Sequence, residues 1–246
     1  VQCLVHACHW SVLRHHVPTA VPAIRKNRNA NFADARRQAM LQRLSAFPNV
    51  PLARASERFN VYDQEYGTKK QLYNVTSTVG RFMESLAAGR CATATRLLEV
   101  GCGQGDFLAM VHRRIQAGQP DGTVRALGVD GSPAAIVTSA GRYRDITWVA
   151  DELEHFLGVH DELILESDGR PVRYDLVLDK TGAVFIEDHA TACRYFEEVA
   201  RLMRPGGLYV YVASRHYYEE NLRKKTYDGW PEHWMQIAAR VFEQVE

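Results

Sequence analysis

Residues 96 to 111 read RLLEVGCGQGDFLAMV: an apolar run, then Gly101, Gly103 and Gly105 spaced by single residues, then a second apolar run. Glu99 stands two places before the first glycine. Bare backbone at such a junction lets a ligand come close, and a helix beginning just after it presents unpaired N–H groups. Acidic residues recur downstream at similar junctions: Asp130 in ALGVDGSP, Asp151 and Glu152 in ITWVADELE, and Asp179 in YDLVLDKT. A dinucleotide fingerprint would place its third glycine three positions after the second and a pyrophosphate on the helix N-terminus. Here Asp106 would repel that phosphate. A ligand with an amino acid moiety suits the pattern better, because its ammonium needs acceptors while glycine backbone accommodates its carboxylate and ribose.

The elements that must position these residues alternate. TRLLEVG, VRALGVDG, ITWVAD, YDLVLDKT and LYVYVAS read as strands, separated by helical stretches such as DFLAMVHRRIQAG and DHATACRYFEEVARLM. SPAAIVTSAGRY reads as a helix with Ser132 as its N-cap and Pro133 at its first position. Five strands with four crossovers predict an α/β fold, a doubly wound, mostly parallel sheet with helices on both faces. Ligands of such sheets bind beyond the carboxyl ends of strands, where the glycines and acids fall. ELILESDGRPVRYD holds an Asp-Gly turn and predicts a small hairpin insertion, and RPGG predicts a stop before the fifth strand.

The totals bound the rest. A chain of 246 residues with 46% hydrophobic content can bury a large core. With 30 basic and 29 acidic residues, the charge balance argues against a nucleic-acid partner. Five scattered cysteines without a CxxC pair predict free thiols in a reducing compartment, the cytoplasm. Cys3, Cys8 and His9 lack a second ligand cluster, so no metal is expected. No apolar run reaches the roughly 20 residues of a membrane span, and the opening VQCLVHACHWSVLRHHV is too polar for a signal-peptide core. Residues 1–55 are expected to form a weakly structured or helical extension, residues 56–90 a cap helix closed by Gly89, and residues 91–246 the ligand-binding domain.

EVGCGQG resembles the first signature of class I S-adenosylmethionine-dependent methyltransferases, and the rest of that family's series follows in order over about residues 60 to 220. The resemblance implies a Rossmann-like fold and S-adenosyl-L-methionine as cofactor. It places Glu99, Gly101, Cys102, Gly103 and Gly105 around the methionine end. Asp130, 25 residues beyond Gly105, would hold the ribose hydroxyls, with Gly131 and Ser132 in the same turn. Asp151 and Glu152 would lie by the adenine amino group, and Asp179 would face the methionine end and the substrate. Tyr62 and Tyr66, in NVYDQEYGTKKQLY with Tyr73, are similar to a segment that closes over the cofactor in many small-molecule members. Packing of a helix on the sheet edge is the plainer alternative for them.

Methyl transfer from a sulfonium needs alignment more than a reactive protein group. Acid–base candidates are His216, in the aromatic stretch SRHYYEENLRKKTYDGWPEHWMQ, His189 just past the fourth strand, and Asp179. His233 reads as a solvated surface residue and Lys180 as solvated or ion-paired. LDKTG resembles a stretch of protein-lysine methyltransferases, but Thr181 and Gly182 are reversed in order. The Asn/Asp-Pro-Pro-Tyr element of base methylation does not occur. The expected substrate is therefore a small molecule modified at O or N, with a protein-lysine substrate as the alternative. A nicotinamide-dependent reductase and a non-catalytic binding module are the readings from other classes. Family members continue through a helix to two further strands, the last antiparallel. Here PEHWMQIAARVFEQVE reads as that helix, so a missing closing hairpin is expected, with the fifth strand near an edge unless the N-terminal segment or another chain covers it.

Overall fold

The computed structural model describes residues 2–8, 42, 46, 84, 89, 91–119, 121–180, 189–214, 232–242 and 244–245. In chain order the elements are β1 (Gln2–Cys8), β2 (Arg96–Val100), α1 (Asp106–Ala117), β3 (Arg125–Asp130), α2 (Pro133–Arg142) and β4 (Thr147–Ala150). They continue with α3 (Leu153–Leu163), β5 (Tyr174–Lys180), α4 (His189–Leu202), β6 (Met203–Ser214), α5 (Glu232–Val241) and β7 (Gln244–Val245). The strands form one sheet in the order β4-β3-β2-β5-β6-β1-β7. All its described pairings are parallel.

Parallel strands covered on both faces must be apolar on both, and β2, β5 and β6 are. Leu98, Val100, Val177 and Tyr209 join Phe156, Phe196 and Ile237 in one core. Leu97, Leu176, Leu178 and Val210 join Leu108, Ile136 and Trp148 in the other. The chain runs outward from β2 through β3 to β4, then returns to the other side of β2 with β5. That reversal sets a crevice at the carboxyl end of β2, where the glycine loop lies.

Local signals are realised closely. Ser132 caps α2, its hydroxyl accepting the Ala135 N–H at 3.2 Å, with Pro133 in the first turn. The hairpin is minimal: Leu165 bridges Pro171 antiparallel around Gly169, whose φ is 81°. The segment RPGG is no simple stop. It lies inside β6, where the pairing with β5 shifts register between Tyr174 and Leu176 and Gly206 takes a φ of 77°. A bulge there lets the strand start directly after α4 without an intervening loop.

The fifth strand is no edge, because the N-terminal segment covers it, and residues 2–8 are a strand rather than the expected weakly structured or helical segment. β1 pairs along β6 from Gln2 opposite Leu208 to Cys8 opposite Ser214, and β7 flanks β1. Among the described residues the sheet therefore has seven strands. Among the described residues no antiparallel hairpin closes it; the N-terminal strand fills that place in parallel. An apolar strand such as LYVYV is stabilised by cover on both edges, which removes a row of unpaired backbone groups. Most of residues 9–90, with the expected cap helix, lie outside the described residues.

Candidate functional site

The loop after β2 owes its shape to its glycines. Gly101, Gly103 and Gly105 have φ of 68°, 54° and 76°, a region that L side chains rarely occupy. Gly105 is constrained twice, because a Cβ there would also lie 2.3 Å from the Trp148 ring. The loop closes on itself through the Gly105 N–H to the Cys102 carbonyl at 3.0 Å. It is tied to β3 through the Cys102 N–H to the Val129 carbonyl, also at 3.0 Å.

Each acid at the strand ends holds backbone. Glu99, 2% exposed, accepts the Leu108 N–H on Oε2 at 3.1 Å, so it caps an open N–H in the first turn of α1. That explains a glutamate two places before the glycines. Asp130 accepts the Gly103 N–H on Oδ2 and the Ser132 N–H on Oδ1, both at 2.8 Å, across the turn at Gly131. One carboxylate thereby joins the glycine loop to the β3–α2 turn. Asp151 accepts the Glu152 N–H on Oδ1 at 2.8 Å, and its Oδ2 lies 2.6 Å from His155 Nδ1. Burial pushes the Asp151 carboxyl up from its ordinary value, against the pull of His155. Burial, then the charges of Asp130 and Glu99, push the Cys102 thiol well up, so it stays a thiol at neutral pH.

Glu99, Gly101, Cys102, Gly103, Gly105, Asp130, Gly131 and Ser132 are thus brought together at one rim. Asp151 and Glu152 sit beside them, the Asp151 N–H donating to the Asp130 carbonyl at 3.0 Å. Asp179 is set apart from the loop. It pairs with Val100 in register, on the face covered by α4, and its Oδ2 accepts the hydroxyls of Tyr195 at 2.5 Å and Tyr209 at 3.0 Å. At 1% exposure it lies beneath the rim. His189 opens α4, Lys180 ends β5 and His233 lies in α5, with backbone alone described. Tyr62, Tyr66, Tyr73 and His216 lie outside the described residues.

Asp106 is paired rather than isolated: the Tyr143 hydroxyl donates to its Oδ1, and Arg142 lies 3.5 Å away. Its charge alone therefore does not decide between ligands. Reading the sequence missed Trp148, Tyr143, Ser139, His155, Tyr195 and Tyr209. One signal was available: Gly128 in the middle of β3 pairs directly with Trp148 of β4, and a glycine inside a strand often marks a close approach. Among the described residues, no group of three His, Cys, Asp or Glu side chains could hold a metal, and no helix is long and apolar enough to cross a membrane.

No family model matches the chain. A curated relative, an uncharacterized methyltransferase of Emericella nidulans, is 28% identical over 125 residues, covering 49% of this chain. The matched stretch spans 42% of that relative's length. Among solved structures, the N-methyltransferase NodS from Bradyrhizobium japonicum WM9 in complex with S-adenosyl-L-homocysteine aligns over 75% of this chain and 86% of its own. The alignment has a TM-score of 0.53 at 16% identity. With the sheet, its reversal beside β2 and the glycine loop, these likenesses give the chain the Rossmann-like fold of the class I S-adenosylmethionine-dependent methyltransferases.

Proposed function

We propose that the protein is an S-adenosylmethionine-dependent methyltransferase that modifies an O or N atom of a small molecule. The observation that carries this is the joint geometry of the rim. Three glycines with positive φ follow the strand at the sheet's reversal, and the amide of the middle one is held by the carboxylate that ends the next strand. The residues present suit the cofactor. Asp130 ends the strand beside the loop, and a carboxylate, an acceptor through both oxygens, suits ribose hydroxyls. Glu99 and Asp151 add negative charge, which favours a sulfonium and an ammonium. The methyltransferase relative of Emericella nidulans and the S-adenosyl-L-homocysteine complex of NodS support the reading.

The bound cofactor would supply an activated methyl group. The chain's own part is to bind and align. Its glycine loop lets the backbone approach, Asp130 fixes the loop against the second turn, and Glu99 orders the start of α1. Holding reactants in line supplies up to about 7–11 kcal/mol in favourable cases. The five scattered cysteines, without a CxxC pair, support a reducing compartment such as the cytoplasm.

The test is titration calorimetry with S-adenosylmethionine, S-adenosylhomocysteine and NADH, followed by incubation with labelled methyl donor and separate pools of metabolites and proteins. Binding of both adenosyl compounds and label in the metabolite pool are expected. Binding of NADH alone would overturn the cofactor, and label in proteins alone would overturn the substrate class.

A further inference from the structure

Behind the glycine loop, on the side of α2 and β4, lies a closed chain of contacts that the cofactor reading does not use. The Trp148 ring fills two notches at once: a Cβ on Gly105 would lie 2.3 Å from its Cη2, and one on Gly128 2.5 Å from its Cζ3. The ring is fully buried, and its indole N–H donates to the Tyr143 carbonyl at 2.9 Å. The Tyr143 hydroxyl donates to Asp106, the residue that follows Gly105. Arg113 lies over the Tyr143 ring at 5.3 Å, and Ser139 Oγ lies 3.3 Å from the Gly103 carbonyl. The path from loop to tryptophan to tyrosine and back to the loop's next residue is therefore continuous.

We infer that Tyr143 and Trp148 are positioning residues that brace the glycine loop from behind, presetting it for the cofactor without touching it. A loop of three positive-φ glycines has large conformational freedom when unsupported, and ordering it on binding would weaken affinity. The amides that tie Gly103 and Cys102 to β3 fix the front of the loop. Trp148 fixes its floor, and the Tyr143–Asp106 bond fixes the point where the loop passes into α1. The inference rests on the methyltransferase reading for the identity of the ligand, but the brace is visible without it.

Tyr143→Phe in the full chain is the test, because it removes one hydroxyl from a half-buried residue and leaves the ring over which Arg113 lies. Two readouts are taken: amide hydrogen exchange across residues 101–108, and the Kd of S-adenosylhomocysteine by calorimetry. Arg201→Gln, which breaks an ion pair with Asp161 at the other end of the sheet, serves as a control for general destabilisation. Faster exchange confined to the loop and about tenfold weaker binding are expected for Tyr143→Phe, the scale of one lost hydrogen bond to a charged acceptor. Exchange in the control should rise around Asp161 with affinity unchanged. Unchanged exchange or affinity in Tyr143→Phe, or the same loss of affinity in the control, overturns the brace. Failure of the unaltered protein to bind S-adenosylhomocysteine overturns the cofactor reading instead, and the exchange comparison still judges the brace.

Discussion

Acidic side chains stand at both ends of the sheet, but only at one of them are they matched by several arginines. At the end where strands finish, Glu99, Asp130 and Asp151 accept backbone N–H groups. At the end where strands begin, carboxylates meet guanidinium groups. Asp161 is bonded by both Arg173 and Arg201, Glu166 by Arg96, and Asp175 by Arg204 at 3.0 Å while its Oδ2 also accepts the Thr95 and Arg96 N–H groups at 2.8 and 2.9 Å. An amide carries only a partial positive charge, so an acid it holds keeps most of its negative field, while a guanidinium cancels it. The first arrangement shapes a loop and keeps a rim attractive to a cationic ligand. The second fastens helices α3 and α4 to the strand starts.

This contrast predicts that substitutions at the rim change ligand affinity, while those at the opposite end change stability alone. The largest effect is expected from Gly105→Val, where the side chain would meet Trp148 and the backbone would be strained. A loss of about 3 kcal/mol or more in urea unfolding is expected, with S-adenosylhomocysteine binding abolished. A stable, binding-competent Gly105→Val would break the account of the loop. Asp130→Asn comes next. It keeps the shape but weakens two charge-assisted bonds from Gly103 and Ser132, and about a hundredfold loss of affinity is expected in calorimetry.

Smaller effects sharpen the other half. Arg201→Gln should cost about 1 kcal/mol in chemical denaturation and leave affinity within twofold, because the Asp161 network is half-exposed and screened. An affinity change there would show the two ends to be coupled. Stability should also fall in two steps on acidification. His160 is buried beside Tyr174, and burial holds its imidazole below the ordinary value, so the unfolded chain takes up its proton first and stability declines as pH drops below 6.5. His160→Gln should flatten that step in pH-dependent melting. Partial burial works to raise Asp161, but hydrogen bonds from Arg173, His160 and Arg201 outweigh it and hold the carboxyl at about 2. Its contribution, on the order of 1 kcal/mol after screening, is present above about pH 4 and lost as pH falls toward 2.

Tyr195, Tyr209 and Asp179 mark a limit on what a strand-end acid signifies. By position Asp179 matches Asp130, since both end or nearly end a strand at the same rim. The pleat sends them to opposite faces, so Asp130 meets the glycine loop and Asp179 meets two tyrosine hydroxyls under α4. Spacing along the chain places an acid at a rim, but a one-residue difference in register decides which face receives it.

The sequence by itself determined what depends on near neighbours: the strand–helix alternation, the Ser132 cap, the Asp-Gly hairpin and the bare-backbone glycine loop. These follow from side-chain periodicity and from the steric freedom of glycine, which act over a few residues. Only the tertiary structure decided that β1 pairs with β6, that Trp148 of β4 fills the notches at Gly105 and Gly128, and that Asp161 gathers two arginines. In each case the partners are distant in sequence, and their meeting is fixed by sheet order and register. QCLVHAC lies in an opening stretch expected to be weakly structured or helical; it becomes a strand because β6 offers it a full row of backbone partners.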